Sequence, residues 1–278
     1  MAFQSNIYTE PLAEAYEAVM AHVDYPRWAG HAHDLLQEHA PPEKWPLGPR
    51  RLLELGSGTG ALARHLQPRG PYRYLATDAS EAMLAVARRK ARAQSLPVRF
   101  RPARFTCVAG DLAKVEPPLG PPFDAALLLY DGLNYLLKER RVRRLLAEVA
   151  RVLRPGGLFL FDQSTPANSA AASGAFEYEG AFEYEGAFER AGGGDGHYWR
   201  KSRYDPDRGL HVTTFVLDGP AGEERRTERH VQRAYEPGEI RALLRASPLA
   251  TVAAFDGLTT DPATDESRRV HWLAQLRE

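Results

Sequence analysis

Residues 54–60 form a glycine-rich turn between an apolar segment and a segment with helical periodicity, and they read ELGSGTG. Glycines at alternate positions permit positive φ, and they let a ligand approach main-chain N–H groups beside a helix N-terminus. Such a turn is typical of sites that bind adenosyl cofactors. Asp78 follows about 20 positions later, the spacing expected of a carboxylate that accepts hydrogen bonds from ribose hydroxyls.

The turn alone fits two classes of cofactor. Its relaxed GxGxxA spacing, from Gly56 to Ala61, also occurs in proteins that bind nicotinamide or flavin dinucleotides. Glu54 separates the classes, because a carboxylate there repels a diphosphate but suits a cofactor with an ammonium and a sulfonium centre. Asp111, predicted at the end of the third strand, is suited to bind an adenine amino group. These residues favour the cofactor that carries an ammonium and a sulfonium centre over a dinucleotide.

Apolar segments that alternate with helical segments position this turn. Five apolar segments predict strands, at 52–55, 72–77, 105–109, 125–130 and 158–161. Strands that alternate with helices indicate right-handed crossovers and a parallel sheet covered by helices on both faces. Periodicity also predicts helices within 9–40 and at 239–246, and closing strands at 250–255 and 270–276.

The composition changes after Asp162. The hexad GAFEYE occurs at 174–179 and 180–185, followed by GAFER at 186–190. One interpretation is an aromatic wall of a substrate pocket, because an even period keeps Phe and Tyr on one face of an extended chain. The other, which we favour, is a short duplication in a surface loop, since longer loops add little closure entropy. Alternating segments at 197–204, 210–217 and 226–235 predict an antiparallel sheet inserted as a lid.

Composition excludes several classes of protein. The 278 residues contain 36 Lys plus Arg and 36 Asp plus Glu, so no global basic charge favours nucleic acid. The single cysteine, Cys107, allows neither an internal disulfide nor a thiolate metal cluster, and core packing in the third strand explains it best. No leader pattern or membrane-spanning apolar segment is found. We expect a cytoplasmic protein with no metal and no membrane partner.

Further motifs give these features one interpretation. DGLNYL at 131–136 follows the fourth strand, and RPGG at 154–157 precedes the fifth. With ELGSGTG, Asp78 and Asp111, this spacing resembles the class I S-adenosylmethionine-dependent methyltransferases of the small-molecule type. The resemblance implies an α/β fold with a Rossmann-like methyltransferase sheet of seven strands, mostly parallel with an antiparallel last strand, and helices on both faces. It also implies an N-terminal helical cap (1–46), a cofactor-binding domain (47–165 and 236–278) and an inserted antiparallel β lid (166–235).

The resemblance also assigns residues. Those implied to bind S-adenosylmethionine are Tyr25, Trp28, Glu54, Gly56, Ser57, Gly58, Gly60, Asp78, Ala79, Met83, Asp111, Leu112 and Tyr130. Those implied to face a substrate are Asp131, Asn134 and Arg233, although Asp131 and Asn134 fit the capping of the next helix equally well. For a general base the candidates are His230, His197, His211 and Tyr235, of which we rank His230 and Tyr235 first.

The resulting hypothesis is methyl transfer to an N- or O-nucleophile of a small molecule by direct in-line displacement, with S-adenosylhomocysteine as product. Two alternatives stay open: a non-catalytic or RNA-associated protein that kept the cofactor pocket, and a nicotinamide-dependent oxidoreductase. Departures from the family also count. Ser247-Pro248-Leu249 replaces its usual Gly-Phe, and the absence of an (N/D)PPY motif and of a Pro-Cys nucleophile argues against DNA methylation. Assembly into a homodimer is left open.

Overall fold

The computed structural model describes residues 7–40, 48–114, 122–173, 181–189, 195–218 and 224–277. Within these residues the helices are α1 (Glu10–Val19), α2 (Tyr25–Glu38), α3 (Ala61–Leu66), α4 (Glu81–Ala93), α5 (Val108–Leu112), α6 (Glu139–Val152), α7 (Pro166–Ser173) and α8 (Pro237–Arg245). The strands are β1 (Arg50–Leu55), β2 (Tyr72–Asp78), β3 (Val98–Pro102), β4 (Phe123–Leu128), β5 (Leu153–Ser164), β6 (Ala181–Glu189), β7 (Asp195–Asp205), β8 (Leu210–Leu217), β9 (Arg226–Arg233), β10 (Leu249–Asp256) and β11 (Arg269–Leu276).

A seven-stranded sheet forms the centre of the molecule, with strand order β10-β11-β5-β4-β1-β2-β3. Its strands run parallel except β11, which is antiparallel to both of its neighbours. All six residues of β4 are buried, as expected of a central strand with helices on both faces. The predicted fold class is therefore confirmed. No helix in the described part of the chain is both long enough and apolar enough to cross a membrane.

The order of the strands changes direction at β1, and this change positions the site. β1 pairs with β2 on one side and with β4 on the other, so the chain crosses over in opposite directions from this point. In open parallel sheets, ligands bind at the carboxyl ends of the strands at such a switch point. Local caps fix the helices there: Asp24 accepts a hydrogen bond from Arg27 N at the start of α2, and Ser80 Oγ accepts one from Met83 N at the start of α4.

A second sheet, antiparallel, has strand order β6-β7-β8-β9. Helix α1 packs against it through Leu12, Val19 and Met20, which contact a cluster containing Tyr198 and Phe215. The predicted strands at 197–204, 210–217 and 226–235 are thus present. The favoured loop interpretation is wrong for 181–189, which pair with β7 as a strand, in keeping with their alternating pattern. The remaining repeat residues, 174–180 and 190, lie outside the described residues.

The predicted third strand is wrong. Strand β3 lies at Val98–Pro102, whereas 105–107 form a turn and 108–112 form α5. As an edge strand, β3 buries only Phe100, so it lacks the continuous apolar sequence by which central strands are recognised. Cys107 consequently lies half-buried at the N-terminus of α5, where Arg144 Nη2 is 3.2 Å from its sulfur.

Candidate active site

A cavity of about 320 Å³ lies over the turn between β1 and α3, and we call it the first cavity. Gly56, Gly58 and Gly60 have φ of 63°, 53° and 73°, which is the left-handed region that favours glycine. Ser57 N donates to Thr77 O, which fixes the turn against β2. Ser57 Oγ is buried at this cavity and has no hydrogen-bond partner among the described residues. The turn therefore offers backbone and hydroxyl groups to a ligand.

Asp78 connects the end of β2 to the glycine turn. One carboxylate oxygen accepts a hydrogen bond from Gly58 N at 2.8 Å, and the other accepts one from Ser80 N at 2.8 Å. Burial raises the pKa of this carboxyl, and the backbone N–H donors offset only part of that effect. Because backbone N–H groups of Gly58, Ala79 and Ser80 occupy three of the roughly four acceptor positions of the carboxylate, about one stays open to a ligand in the first cavity.

Glu54 places a second carboxyl in the same cavity. Its side chain is buried, and Tyr74 Oη donates a hydrogen bond of 2.9 Å to it. Burial raises the pKa of Glu54 to about 8, although the Tyr74 hydrogen bond acts in the opposite direction. A buried carboxyl of this kind ionises more readily when a cation binds beside it. The first cavity is therefore suited to a positively charged ligand.

Aromatic side chains from the N-terminal helices cover the first cavity. Tyr25 and Trp28 project from α2, and Tyr8 and Tyr16 approach from residues 7–19. The Trp28 ring lies edge-on to Tyr130, with centroids 5.3 Å apart. Because these rings exclude water over the glycine turn, they strengthen electrostatic interactions inside the cavity.

A second cavity, of about 510 Å³, lies between the carboxyl end of β5 and the second sheet. Tyr130 is the one described residue that lines both cavities. Most of the other lining side chains are polar: His22, Asp131, Asn134, Ser164, Asn168, Ser169, Arg200, His211, Gln232 and Arg269. The apolar contributors are small, mainly alanine. The second cavity therefore suits a compact polar molecule, held next to whatever occupies the first.

An ion cluster holds the boundary between the cavities. Arg269 Nη1 lies 2.5 Å from an Asp131 carboxylate oxygen and also contacts Asp162, while its guanidinium stands over the Trp28 ring at 5.2 Å. Burial raises the pKa of Asp162 to about 6, against the opposing effect of Arg269. The cluster holds a strained loop in place, in which Tyr130 and Asp131 have φ of 68° and 65°.

The predicted substrate residues separate into two groups. Asp131 and Asn134 line the second cavity, but Asn134 is also a structural bridge, since its amide binds Ser164 O and Arg233 O. Arg233 lies outside that lining, where it pairs with Glu239 and stands over the Tyr235 ring.

Most predicted cofactor residues gather at the first cavity. Its lining includes Tyr25, Trp28, Glu54, Gly56, Ser57, Gly58, Asp78, Ala79, Met83 and Tyr130, while Gly60 completes the turn beneath. Asp111 and Leu112 are absent from this lining. Asp111 pairs with Arg104 and Lys114, and Leu112 is buried in the core, because residues 108–112 are helical instead of ending a strand. The lining residues that the sequence did not predict include Tyr8, Tyr16, Arg104, Phe105 and Tyr135.

The predicted bases occupy contrasting places. His230 is 1% exposed and lines neither cavity, and Tyr235 is fully buried with its hydroxyl donating to Leu136 O. Burial raises the pKa of Tyr235 to about 12, so its position does not favour a base role. His197 pairs with Asp218 on the outside of the second sheet. His211 lines the second cavity, as does His22, which sequence reasoning missed.

The same combination of features occurs in known proteins. Residues 52–157 match the model of a family described as a methyltransferase domain. A putative methyltransferase of Geobacillus sp. (strain WCH70) is 27% identical over 271 residues, which are 96% of this chain and 98% of that protein.

Solved structures share the fold. An S-adenosylmethionine-dependent methyltransferase from Clostridium acetobutylicum ATCC 824 superposes with a TM-score of 0.70 at 20% identity, covering 95% of this chain and 96% of that one. The sugar N-methyltransferase KedS8 from Streptoalloteichus sp ATCC 53650 gives a TM-score of 0.67 at 22% identity, with 99% and 97% covered.

The fold and the first cavity thus resemble those of enzymes that bind an adenosyl cofactor at a parallel-sheet switch point. Residues 52–157 form a methyltransferase domain, and over nearly its whole length the chain resembles S-adenosylmethionine-dependent methyltransferases. The residues present fit that cofactor, because the first cavity combines two buried carboxyls with the buried hydroxyl of Ser57, which has no partner in the described chain. Among the described residues, no group of three His, Cys, Asp or Glu side chains is arranged to hold a metal ion.

Proposed function

We propose that this methyltransferase binds S-adenosylmethionine in the first cavity and methylates an N- or O-nucleophile of a compact polar molecule in the second. The observation that carries the proposal is the adjacency of the two cavities, which share Tyr130. When bound, the cofactor supplies an electrophilic methyl group. The protein has to bind, align and exclude water, and orientation alone contributes about 7–11 kcal/mol in model systems.

The residues of the first cavity divide the work of binding. Asp78 is suited to a ribose hydroxyl, because its carboxylate lines the first cavity and keeps an open acceptor position. Glu54 and the glycine turn are suited to the positively charged end of the cofactor. Met83, which is 1% exposed and lines the cavity, offers an apolar surface for the adenine ring.

The second cavity favours a polar acceptor over an apolar one. Its amide, hydroxyl, imidazole and guanidinium groups would lose hydrogen bonds to water beside a hydrocarbon, which is unfavourable. The fold shared with KedS8, a sugar N-methyltransferase, makes an amino sugar one acceptor to test. A direct in-line displacement needs an acceptor held in the second cavity to extend its nucleophile past Tyr130 to the methyl group in the first.

Two measurements test this function. Thermal shift should show stabilisation by S-adenosylmethionine and S-adenosylhomocysteine, about 2.7 kcal/mol at 100-fold saturation, and none by nicotinamide cofactors. Methyl-labelled cofactor is then incubated with polar and apolar fractions of a metabolite extract. We expect label to enter the polar fraction. Binding without transfer to either fraction would overturn the enzymatic proposal, and transfer confined to the apolar fraction would overturn the acceptor class.

A further inference from the structure

A chain of hydrogen bonds leads from the first cavity to a buried carboxylate. Tyr8 and Tyr135 line the cavity, and their hydroxyl oxygens are 2.7 Å apart. Tyr135 Oη is 2.8 Å from His230 Nδ1, and His230 Nε2 is 3.2 Å from Glu228 Oε2. His230 and Glu228 are only 1% and 2% exposed. A buried imidazole and carboxylate thus lie directly behind two cavity hydroxyls.

All the donors in this series of hydrogen bonds are directed toward Glu228. Glu228 accepts hydrogen bonds from Tyr8 N, Thr9 N and Thr9 Oγ1, which require an acceptor. Although burial alone would raise its pKa, the hydrogen bonds from His230 and Thr9 hold the pKa of Glu228 below its usual range. Because Glu228 is a carboxylate, His230 donates a hydrogen bond to it from Nε2–H. In a neutral ring Nδ1 is then the acceptor. Tyr135 then donates to His230, and Tyr8 donates to Tyr135.

Surrounding rings hold the imidazole in this orientation. The His230 ring is edge-on to Tyr8 at 4.7 Å and to Phe215 of β8 at 5.0 Å, and it also contacts Tyr135. Charged groups act on the two hydroxyls from other elements: Asp131, Arg200 and Glu228 on Tyr135, and Asp78 with Tyr16 on Tyr8. Burial raises the pKa of both tyrosines, so they pass protons rather than stay ionised.

We propose that Tyr8, Tyr135, His230 and Glu228 form a proton relay that removes the proton released by the methyl acceptor. This proposal rests on the proposed function. As the nucleophile bonds to the methyl carbon, the carbon–sulfur bond breaks with its electron pair left on sulfur. The nucleophile reaches past Tyr130 from the second cavity into the first, where its proton moves to Tyr8 Oη. The Tyr8 proton then moves to Tyr135, and the Tyr135 proton moves to His230 Nδ1. The imidazolium that results is stabilised by Glu228, and no charge is left on either tyrosine.

The first test needs no acceptor. Nitrogen-15 spectra of the ligand-free protein should show His230 protonated at Nε2, with Nδ1 as hydrogen-bond acceptor. Tyr135→Phe should shift the Nδ1 resonance. Tyr72→Phe is the matched control, because Tyr72 Oη makes a similar bond of 2.7 Å to His33 Nδ1, away from both cavities. A proton on Nδ1 of His230 would overturn the relay, since Tyr135 would then have to accept and the direction would reverse.

The second test measures label transfer to the polar metabolite fraction across pH. Tyr8→Phe, Tyr135→Phe and His230→Gln should each lower the transfer rate about 100-fold or more, the usual contribution of a general base. Combining two of them should add little further loss. Each should also change the pH profile of transfer relative to that of the wild-type enzyme. His230→Gln, which lies outside both linings, should leave the affinity for S-adenosylhomocysteine little changed. Tyr72→Phe should keep both the rate and the profile.

Outcomes separate the relay from the function on which it rests. Transfer by the wild-type enzyme with unchanged pH profiles in the folded Tyr135→Phe and His230→Gln variants would overturn the relay alone. No transfer by the wild-type enzyme would overturn the proposed function and the relay together. Folding of each variant is checked by its binding of S-adenosylhomocysteine, a readout that a purely structural loss would reduce.

Discussion

The two cavities are built in different ways. The first is centred on a backbone feature, the glycine turn with positive φ. A carboxylate is bound to that turn, and aromatic rings from residues 8–28 lie over it. The second is made of polar side chains contributed by the α1–α2 connection, the end of β5, α7 and three strands of the second sheet. A backbone-built site holds one ligand in one geometry, whereas side chains on separate elements change without disturbing the sheet. Under the proposed function, the fold fixes the methyl donor, and the side chains of the second cavity select the acceptor.

The largest expected effect is at Asp78. Asp78→Asn should weaken S-adenosylhomocysteine binding about 100-fold, because charge-assisted hydrogen bonds contribute roughly 1.5–3 kcal/mol each. Calorimetric titration measures this. Asp111→Asn is the matched control and should bind within about twofold of wild type, since that carboxylate is absent from the lining and its pair with Arg104 is solvent-exposed. Equal losses in the two variants would restore Asp111 to the cofactor site.

A pH-dependent effect follows from Glu54. Its pKa of about 8 in the free protein means that a bound cation must displace a proton, so affinity should rise with pH below 8 and level off above it. The rise should approach about tenfold per pH unit from pH 6 to 8. In Glu54→Gln this dependence should vanish. The ratio of the two affinities is the useful quantity, because titration of the ligand's own ammonium cancels in it. A constant ratio would contradict ionisation of Glu54 on binding.

Changes in the second cavity should leave donor binding intact. Ala21 is exposed where it lines this cavity, so Ala21→Phe adds bulk at little risk to the core. We expect the kcat/KM for label transfer to the polar fraction to fall about tenfold or more, as for a misplaced acceptor. Affinity for S-adenosylhomocysteine should be unchanged. Ala170→Phe, exposed on α7 outside the lining, is the control and should transfer normally.

The smallest effect concerns the glycine turn as a folding element. At Gly60, φ is 73° and an added Cβ would lie 3.0 Å from Phe100 Cε1. Gly60→Ala should therefore lower the free energy of unfolding by about 1–3 kcal/mol. Gly238→Ala meets no atom within 4 Å inside α8 and should instead raise stability by up to about 1 kcal/mol. Chemical denaturation compares the two, and similar stability in both variants would show that the turn is less constrained than its φ implies.

The sequence predicts the lining residues of the first cavity better than those of the second. Glu54, the glycines and Asp78 are separated by short distances in the chain, so motif spacing places them correctly. The error at Asp111 came from β3, an edge strand with one buried residue, which was overlooked in favour of the apolar residues after it. In the second cavity, His22, Arg200, Gln232 and Arg269 come from separate elements, and no local period brings them together.

The relay shows the same limit more strongly. The sequence predicts His230 as a candidate general base. That prediction stays a prediction, with His230 now placed in the proposed relay instead of at the acceptor itself. Its partner Tyr135 lies in the segment already recognised as DGLNYL, but the contact spans 95 residues. Only the packing of β9 against the short helical turn at Leu133–Tyr135 brings the two together.

The hydrogen bonds between Glu228 and the N-terminal segment determine when the first cavity is completed during synthesis. Glu228 binds Tyr8 N across 220 residues and Thr9 N across 219, at the start of α1. Ribosomes add about 5–20 residues per second, so roughly 10–40 s separate the emergence of residues 7–9 from that of their partner. Until then the first cavity lacks its anchored N-terminal segment, although β1, β2 and the glycine turn are already made. The first cavity is thus begun early in translation and completed late.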